Sequence, residues 1–251
     1  LGRPAVLDIF GRSAAMIVVK QLSKRFGKVE AVRAIDFSAV DGRITGLLGP
    51  NGAGKSTTLR LIATLIRADS GEVLIDGIQA KDDPVGARRR LGVLSHAAGL
   101  YPQLSARENI AYFARLQNMQ ADVIGPRTEE LIRLLDMQDF ADRRAKGFSQ
   151  GQKLKTALAR AMVHRPSNLI LDEPTNGLDV MAVRNLRALL ARLRDEGHCI
   201  LFSSHVMQEV RMLCDEVVVM SQGRVTAAGT IDALRAAAGE ENLEDAFVKL
   251  I

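Results

Sequence analysis

The chain has 251 residues, 47% hydrophobic and 25% charged, with 34 Lys and Arg against 29 Asp and Glu for a net charge of +5. That is the composition of a folded globule with a sizeable core, not of a disordered or fibrous chain. No apolar run approaches the roughly 20 residues needed to cross a bilayer, so any membrane role is expected to come through a partner.

Residues 1–15 carry Arg3 and Arg12 around a short apolar patch, too brief and interrupted for a signal peptide. They are expected to be a disordered extension ahead of a domain opening at Met16. Short strands are predicted at 17–20 and 34–40, and another at 70–77 between turn residues. The runs 44–48, 169–171, 200–202 and 217–220 have the unbroken apolar character of buried parallel strands, so the class is α/β. Each is followed by polar or glycine-rich residues, where such sheets place their ligands. Between about 105 and 145 the period turns helical, with Ile110, Phe113, Ala114 and Leu116 on one stripe and Leu131, Leu134 and Leu135 on a second. A helical subdomain inserted at about 96–156 is therefore expected, within a domain spanning 16–235, followed by a short helical tail at 236–251.

The basic excess is spread along the chain, and Arg88, Arg89 and Arg90 read as a solvated or phosphate-adjacent face. With no Trp and two Tyr there are few stacking surfaces for single strands, so no nucleic-acid partner is expected. Cys199 and Cys214 have no CxxC or metal spacing and read as reduced, buried cytosolic thiols.

Two motifs carry chemistry. Gly49-Pro50-Asn51-Gly52-Ala53-Gly54-Lys55-Ser56-Thr57 fits GxxxxGK[ST] directly after the 44–48 strand and before a helical stretch with Leu59, Ile62, Leu65 and Ile66 inward. Glycines let successive backbone N–H groups converge on phosphate oxygens, and the following helix N-terminus adds its partial positive charge. Lys55 is expected to reach the β- and γ-phosphates of ATP, and the Ser56 hydroxyl to ligate Mg²⁺. The second motif is the strand 169–171 running into Asp172-Glu173-Pro174. Asp172 is placed to hold the Mg²⁺ or its water. Glu173, expected on the opposite side of an extended backbone, is placed as general base toward the attacking water.

With both motifs in hand, the chain resembles the ABC ATPase family from residue 16 to about 230. Phe148-Ser149-Gln150-Gly151-Gln152 is similar to that family's Leu-Ser-Gly-Gly-Gln signature, with Phe148 and Gln150 departing from it. Gly177-Leu178-Asp179 resembles the loop by which paired subunits sense each other. His205 falls where the family has its switch histidine, and Phe26 where it has the aromatic that stacks on adenine. Taken alone, His205 reads first as a structural histidine after a strand, and Phe26 first as a core residue.

The resemblance implies a P-loop NTPase (RecA-like) core with an antiparallel β subdomain and the inserted helical subdomain. It implies ATP and Mg²⁺ as cofactors, catalysis by Lys55, Glu173 and His205, and Ser149, Gly151 and Gln152 on the nucleotide of a second copy. One cradle and one signature imply a head-to-tail homodimer closed by ATP. Where the family has a glutamine after the strand near Leu91, this chain has Ser95-His96, and His96 is a candidate for the metal. The expected partner is a separate transmembrane permease docking at the helical subdomain. The subunit would then sit peripherally on the cytoplasmic face of the cell membrane, touching it only through that permease. The segments around Gly99, Gly177 and Ser203 resemble bacterial sodium-efflux ATPase subunits. Export of drugs, lipids or polysaccharide remains open, as does a soluble role on ribosomes or DNA.

Overall fold

The computed structural model describes residues 15–95 and 99–251. The expected N-terminal extension, Ala15 apart, lies outside the described residues, and so does His96.

Three long apolar segments build the centre. β3 (Arg43–Leu48), β7 (Asn168–Asp172) and β8 (Cys199–Ser204) are buried nearly end to end, because helices or a second sheet cover both faces. They run parallel with β6 (Leu91–Leu94) and β9 (Glu216–Ser221), and β10 (Arg224–Gly229) adds an antiparallel edge. The six-stranded order is β10-β9-β3-β8-β7-β6. A four-stranded antiparallel sheet, ordered β2-β1-β4-β5, is formed by β1 (Ala15–Phe26), β2 (Val29–Val40), β4 (Ser70–Ile75) and β5 (Ile78–Gln79).

Alternation along the central strands sends successive side chains into two cores. Ile44, Leu48, Leu171, Phe202 and Val219 face the helices, packing with Ile110, Leu131, Leu158 and Leu190. Leu47, Ile170, Leu201 and Met220 face the other way, against Leu59 and Ile62 of α1 (Lys55–Ile62) and against Ile17, Phe37 and Ile75 of the antiparallel sheet. Phe202 is completely buried, so truncating it to Ala would cost about 3–5 kcal/mol.

β1 and β2 are longer than the sequence pattern suggests, since bulges break their alternation. Gln21 and Ala34 sit at φ 47 and 46, near the register shifts. Side chains hold both kinks, the Asp36 carboxylate accepting from the Gln21 amide at 2.9 Å and Ser23 Oγ from the Ala34 amide at 2.9 Å.

The middle of the chain holds α3 (Ala106–Leu116), α4 (Ala121–Leu134), a 3₁₀ turn at Ala145–Gly147 and α5 (Gln150–Met162). Ser105 and Glu108 form a capping box at the start of α3. Only Ile110 and Ala114 of the predicted α3 stripe are buried; Leu116, at the helix end, is exposed. Likewise α1 stops at Ile62, which leaves Leu65 exposed. The buried Arg127 guanidinium donates to the carbonyls of Met162 (2.6 Å) and Val163 (3.1 Å), tying α4 to the C-terminus of α5.

α2 (Pro84–Arg89) is capped by Asp83, and Arg88 and Arg89 fall in its last turn, favourable to the helix dipole. α6 (Val180–Asp195) starts at an Asp179 cap, and α7 (Met207–Leu213) follows β8. The tail is a pair of helices, α8 (Ile231–Ala238) and α9 (Leu243–Leu250), parted by the left-handed Gly239. α8 thus begins ahead of residue 236. Among the described residues no helix is long and apolar enough to cross a membrane. Both cysteines are free, and burial pushes each thiol up.

Candidate functional site

The loop between β3 and α1 is clamped from behind. A Cβ at Gly49 would come within 2.3 Å of the Met220 carbonyl, and one at Gly54 within 2.5 Å of the Ala31 carbonyl. Gly52 and Gly54 sit at φ 83 and 101, so the backbone demands glycine at both, while at Gly49 and Gly54 the surrounding space demands it too. The β9–β10 turn fixes the loop further, its Gly223 amide donating to Ala53 O at 3.0 Å. Lys55 is buried, and its ammonium donates to the carbonyls of Gly49 (2.8 Å) and Pro50 (3.1 Å). Burial pushes this ammonium below its ordinary value, and the nearby Glu173 and Asp172 carboxylates partly offset that.

Parallel pairing brings Asp172 of β7 opposite Ser203 of β8. Asp172 Oδ1 accepts from the Ser203 hydroxyl at 2.7 Å and from the Ser56 hydroxyl at 3.0 Å. Cradle and carboxylate strand therefore meet at one point. Among the described residues no group of three His, Cys, Asp or Glu side chains could hold a metal ion. The juxtaposed Ser56 hydroxyl and Asp172 carboxylate are hard oxygen donors that suit a Mg²⁺ shared with nucleotide phosphates.

Glu173 departs from expectation. The strand ends at Asp172, and Glu173 turns to φ 47, a left-handed conformation unusual for a residue with a side chain. Its carboxylate is aimed by this turn rather than by strand alternation. The Glu173 amide donates to Ser203 Oγ at 3.0 Å. Oε1 lies 3.2 Å from His205 Nδ1 and 3.9 Å from Lys55 Nζ, while Oε2 accepts from Asn176 Nδ2 at 2.7 Å. A residue held in so sparse a region by this many partners is a common mark of a working site.

A cleft of about 350 Å³ adjoins these groups, lined by Asn51, Gly52, Gly54, Lys55, Ser56, Thr57 and Glu173. Val29, Arg33 and Gln222 line it as well. Phe26 ends β1 at the hairpin beside Val29, its pairing partner. It is 49% exposed, which removes the core reading for this ring.

The signature segment stands elsewhere. Ser149 caps α5, accepting from the Gln152 amide, while the Gln152 side chain accepts from the Ser149 amide. None of Ser149, Gly151 or Gln152 lines the cradle cleft. A Cβ on Gly151 would meet only ordinary contact, 3.7 Å from Ala182 Cβ, so among the described residues nothing demands glycine there. Ser95 lines a second cleft, about 690 Å³, between the carboxylate strand and the helical region.

Asn176, Ser203 and Gln222 went unnoticed in the sequence. Ser203 was signalled by a polar residue ending an apolar strand, while Asn176 and Gln222 are placed by left-handed turns that no simple pattern announces.

A model described as ABC transporter matches residues 32–176. The chain belongs to the ABC transporter family. This ATP-binding subunit is 38% identical to the ABC transporter ATP-binding protein NatA of Bacillus subtilis, over 93% of the chain and 97% of that relative. It is 33% identical to the linearmycin resistance ATP-binding protein LnrL of the same species, over 86% of the chain and 69% of that relative. A solved ATP-binding subunit of an ABC transporter superposes with a TM-score of 0.85 at 29% identity, covering 94% of this chain and 99% of that one. A dimeric ATP-binding cassette in a post-hydrolysis state, bound to ADP and Pi, gives 0.78 at 26% identity, covering 86% and 98%. The P-loop NTPase core expected from the sequence is thus the fold, and the subunit binds and hydrolyses ATP.

Proposed function

We propose that this ABC subunit powers export of Na⁺ through a separate membrane-spanning permease, working as an ATP-dependent head-to-tail pair. The resemblance of the segments around Gly99, Gly177 and Ser203 to sodium-efflux subunits carries the export reading, and the likeness to the ATP-binding protein NatA along nearly the whole of both chains supports the division into subunit and separate permease. LnrL supports a second reading, export of a drug-like molecule. Attachment to the cytoplasmic face of the cell membrane would then run through the permease.

Within each site, Lys55 and the Gly49–Thr57 loop receive the phosphates, and Phe26 stacks on adenine. Ser56 and Asp172 would hold Mg²⁺, which when bound neutralises phosphate charge. Glu173 accepts the proton of the attacking water, kept in aim by His205 on one oxygen and Asn176 on the other. His205 and Lys55 supply positive or donor groups toward the charge that develops on the transferred phosphoryl.

Pairing explains two features together: the signature residues stand outside the chain's own cradle cleft, and Gly151 is a glycine that no described residue of its own chain requires. Ser149 and Gly151 of one copy would close on the nucleotide of the other. Loss of the γ-phosphate removes that bridge, and this difference in affinity opens the pair.

The test is sodium extrusion from cells carrying the subunit with its permease, compared with cells carrying a Lys55→Ala variant. Efflux that depends on Lys55 supports Na⁺ as cargo. Efflux that is equal in both, with Lys55-dependent resistance to drugs, supports the second reading.

A further inference from the structure

Glu209 is buried, with 9% of its surface exposed. It lies in the first turn of α7, in the segment that follows His205, and no site role is read for it from the sequence. Taking a carboxylate out of water is costly unless donors replace the water. Here two hydroxyls converge on a single oxygen: Glu209 Oε2 accepts from Thr175 Oγ1 at 2.7 Å and from Ser204 Oγ at 2.8 Å. Ser204 Oγ in turn accepts from the Val206 amide at 2.9 Å, which fixes the direction of its hydroxyl.

The positions of these two donors in the chain give the contact its meaning. Thr175 immediately precedes Asn176, which donates to Glu173 Oε2. Ser204 immediately precedes His205, which lies 3.2 Å from Glu173 Oε1. One buried oxygen thus ties together the residues next to both partners of the Glu173 carboxylate. Thr175 belongs to the turn after β7 and Ser204 to the end of β8, and the last Cα pairing between those strands is Asp172 with Ser203. Beyond that pair the two segments have no ladder to hold them in register.

We infer that Glu209 is a positioning residue for ATP hydrolysis, setting the spacing between Asn176 and His205 so that both grip Glu173. The inference rests on Glu173 as the hydrolytic base. Glu209 touches no reacting atom in this arrangement and acts through its two hydroxyl partners. Thr175 leads directly into Gly177-Leu178-Asp179, so the same oxygen also anchors the root of the loop assigned to subunit pairing.

The experiment measures steady-state ATPase activity, nucleotide binding and thermal unfolding on the full chain. Thr175→Val removes one hydroxyl at nearly constant volume, and Glu209→Leu removes the shared acceptor. Both are expected to lower kcat roughly tenfold or more, the scale on which small misplacement of a catalytic group acts. The KM for ATP and ATP binding should stay unchanged. Decisively, Thr175→Val should cause no further loss in an Asn176→Ala background, because its effect passes through Asn176. Unchanged kcat in Thr175→Val, or a full further loss in the Asn176→Ala background, would overturn the inference. If Glu209→Leu unfolds, the Thr175→Val cycle decides alone. Normal turnover by Glu173→Gln would instead defeat the underlying assignment of the base, whatever the Glu209 variants do.

Discussion

Removing the Ser203 hydroxyl should damage both stability and turnover. This side chain is fully buried, donates to Asp172 Oδ1 at 2.7 Å and accepts from the Glu173 amide at 3.0 Å. Ser203→Ala takes a charge-assisted hydrogen bond from Asp172, a loss of about 1.5–3 kcal/mol. It also strands the Glu173 amide, whose desolvation costs about 1–3 kcal/mol if nothing replaces the acceptor. Asp172 keeps the Ser56 hydroxyl at 3.0 Å, which softens the first effect. A total near 3 kcal/mol lowers the Tm of a chain this size by about 6–12 °C. Differential scanning fluorimetry and urea unfolding measure that loss, and ATPase assays on the same samples should show kcat falling as Glu173 loses its fixed left-handed turn. A destabilisation under about 0.5 kcal/mol, the range of an ordinary surface change, would refute the buried-network reasoning.

Other expectations follow from single contacts. An alanine at Gly46 would place its Cβ 2.6 Å from Cys214 Sγ, so Gly46→Ala should destabilise by about 1–3 kcal/mol, and Cys214→Ala in the same chain should recover most of that in a urea titration. Gly151→Ala, free of clash at 3.7 Å, should leave the Tm unchanged yet abolish ATP-dependent pairing by light scattering. Burial pushes the His164 imidazole below its ordinary 6.5, with Arg127 adding to the shift and the Leu91 carbonyl partly offsetting it. On acidification the unfolded chain therefore takes up this proton first. Stability should fall as pH drops from 6.5 toward the depressed folded value and level off below it. His164→Gln should flatten that segment of the pH dependence of the urea midpoint.

What could be read from residues alone was whatever lies contiguous in the chain. The Gly49–Thr57 loop announces itself because its glycines are forced by local backbone and by Met220 and Ala31 pressing from behind. The central strands were legible since burial on both faces leaves unbroken apolar runs. β1 and β2 were read too short, because Gln21 and Ala34 kink the alternation on which the reading depends. The extended backbone expected at Glu173 fails for a related reason: alternation holds only while the strand continues, and β7 ends one residue earlier. Asn176, Ser203 and Glu209 were invisible as partners, since each joins segments that only the β7–β8 pairing and its following turns bring together.

The central claim is a pair of copies closed on ATP, with Glu173 opening it by hydrolysis. Its most direct test is the mass in solution of the Glu173→Gln variant, with and without Mg-ATP. The account expects one copy without nucleotide and two with it, the pair persisting because turnover is stalled. A single copy at saturating, demonstrably bound ATP would contradict it.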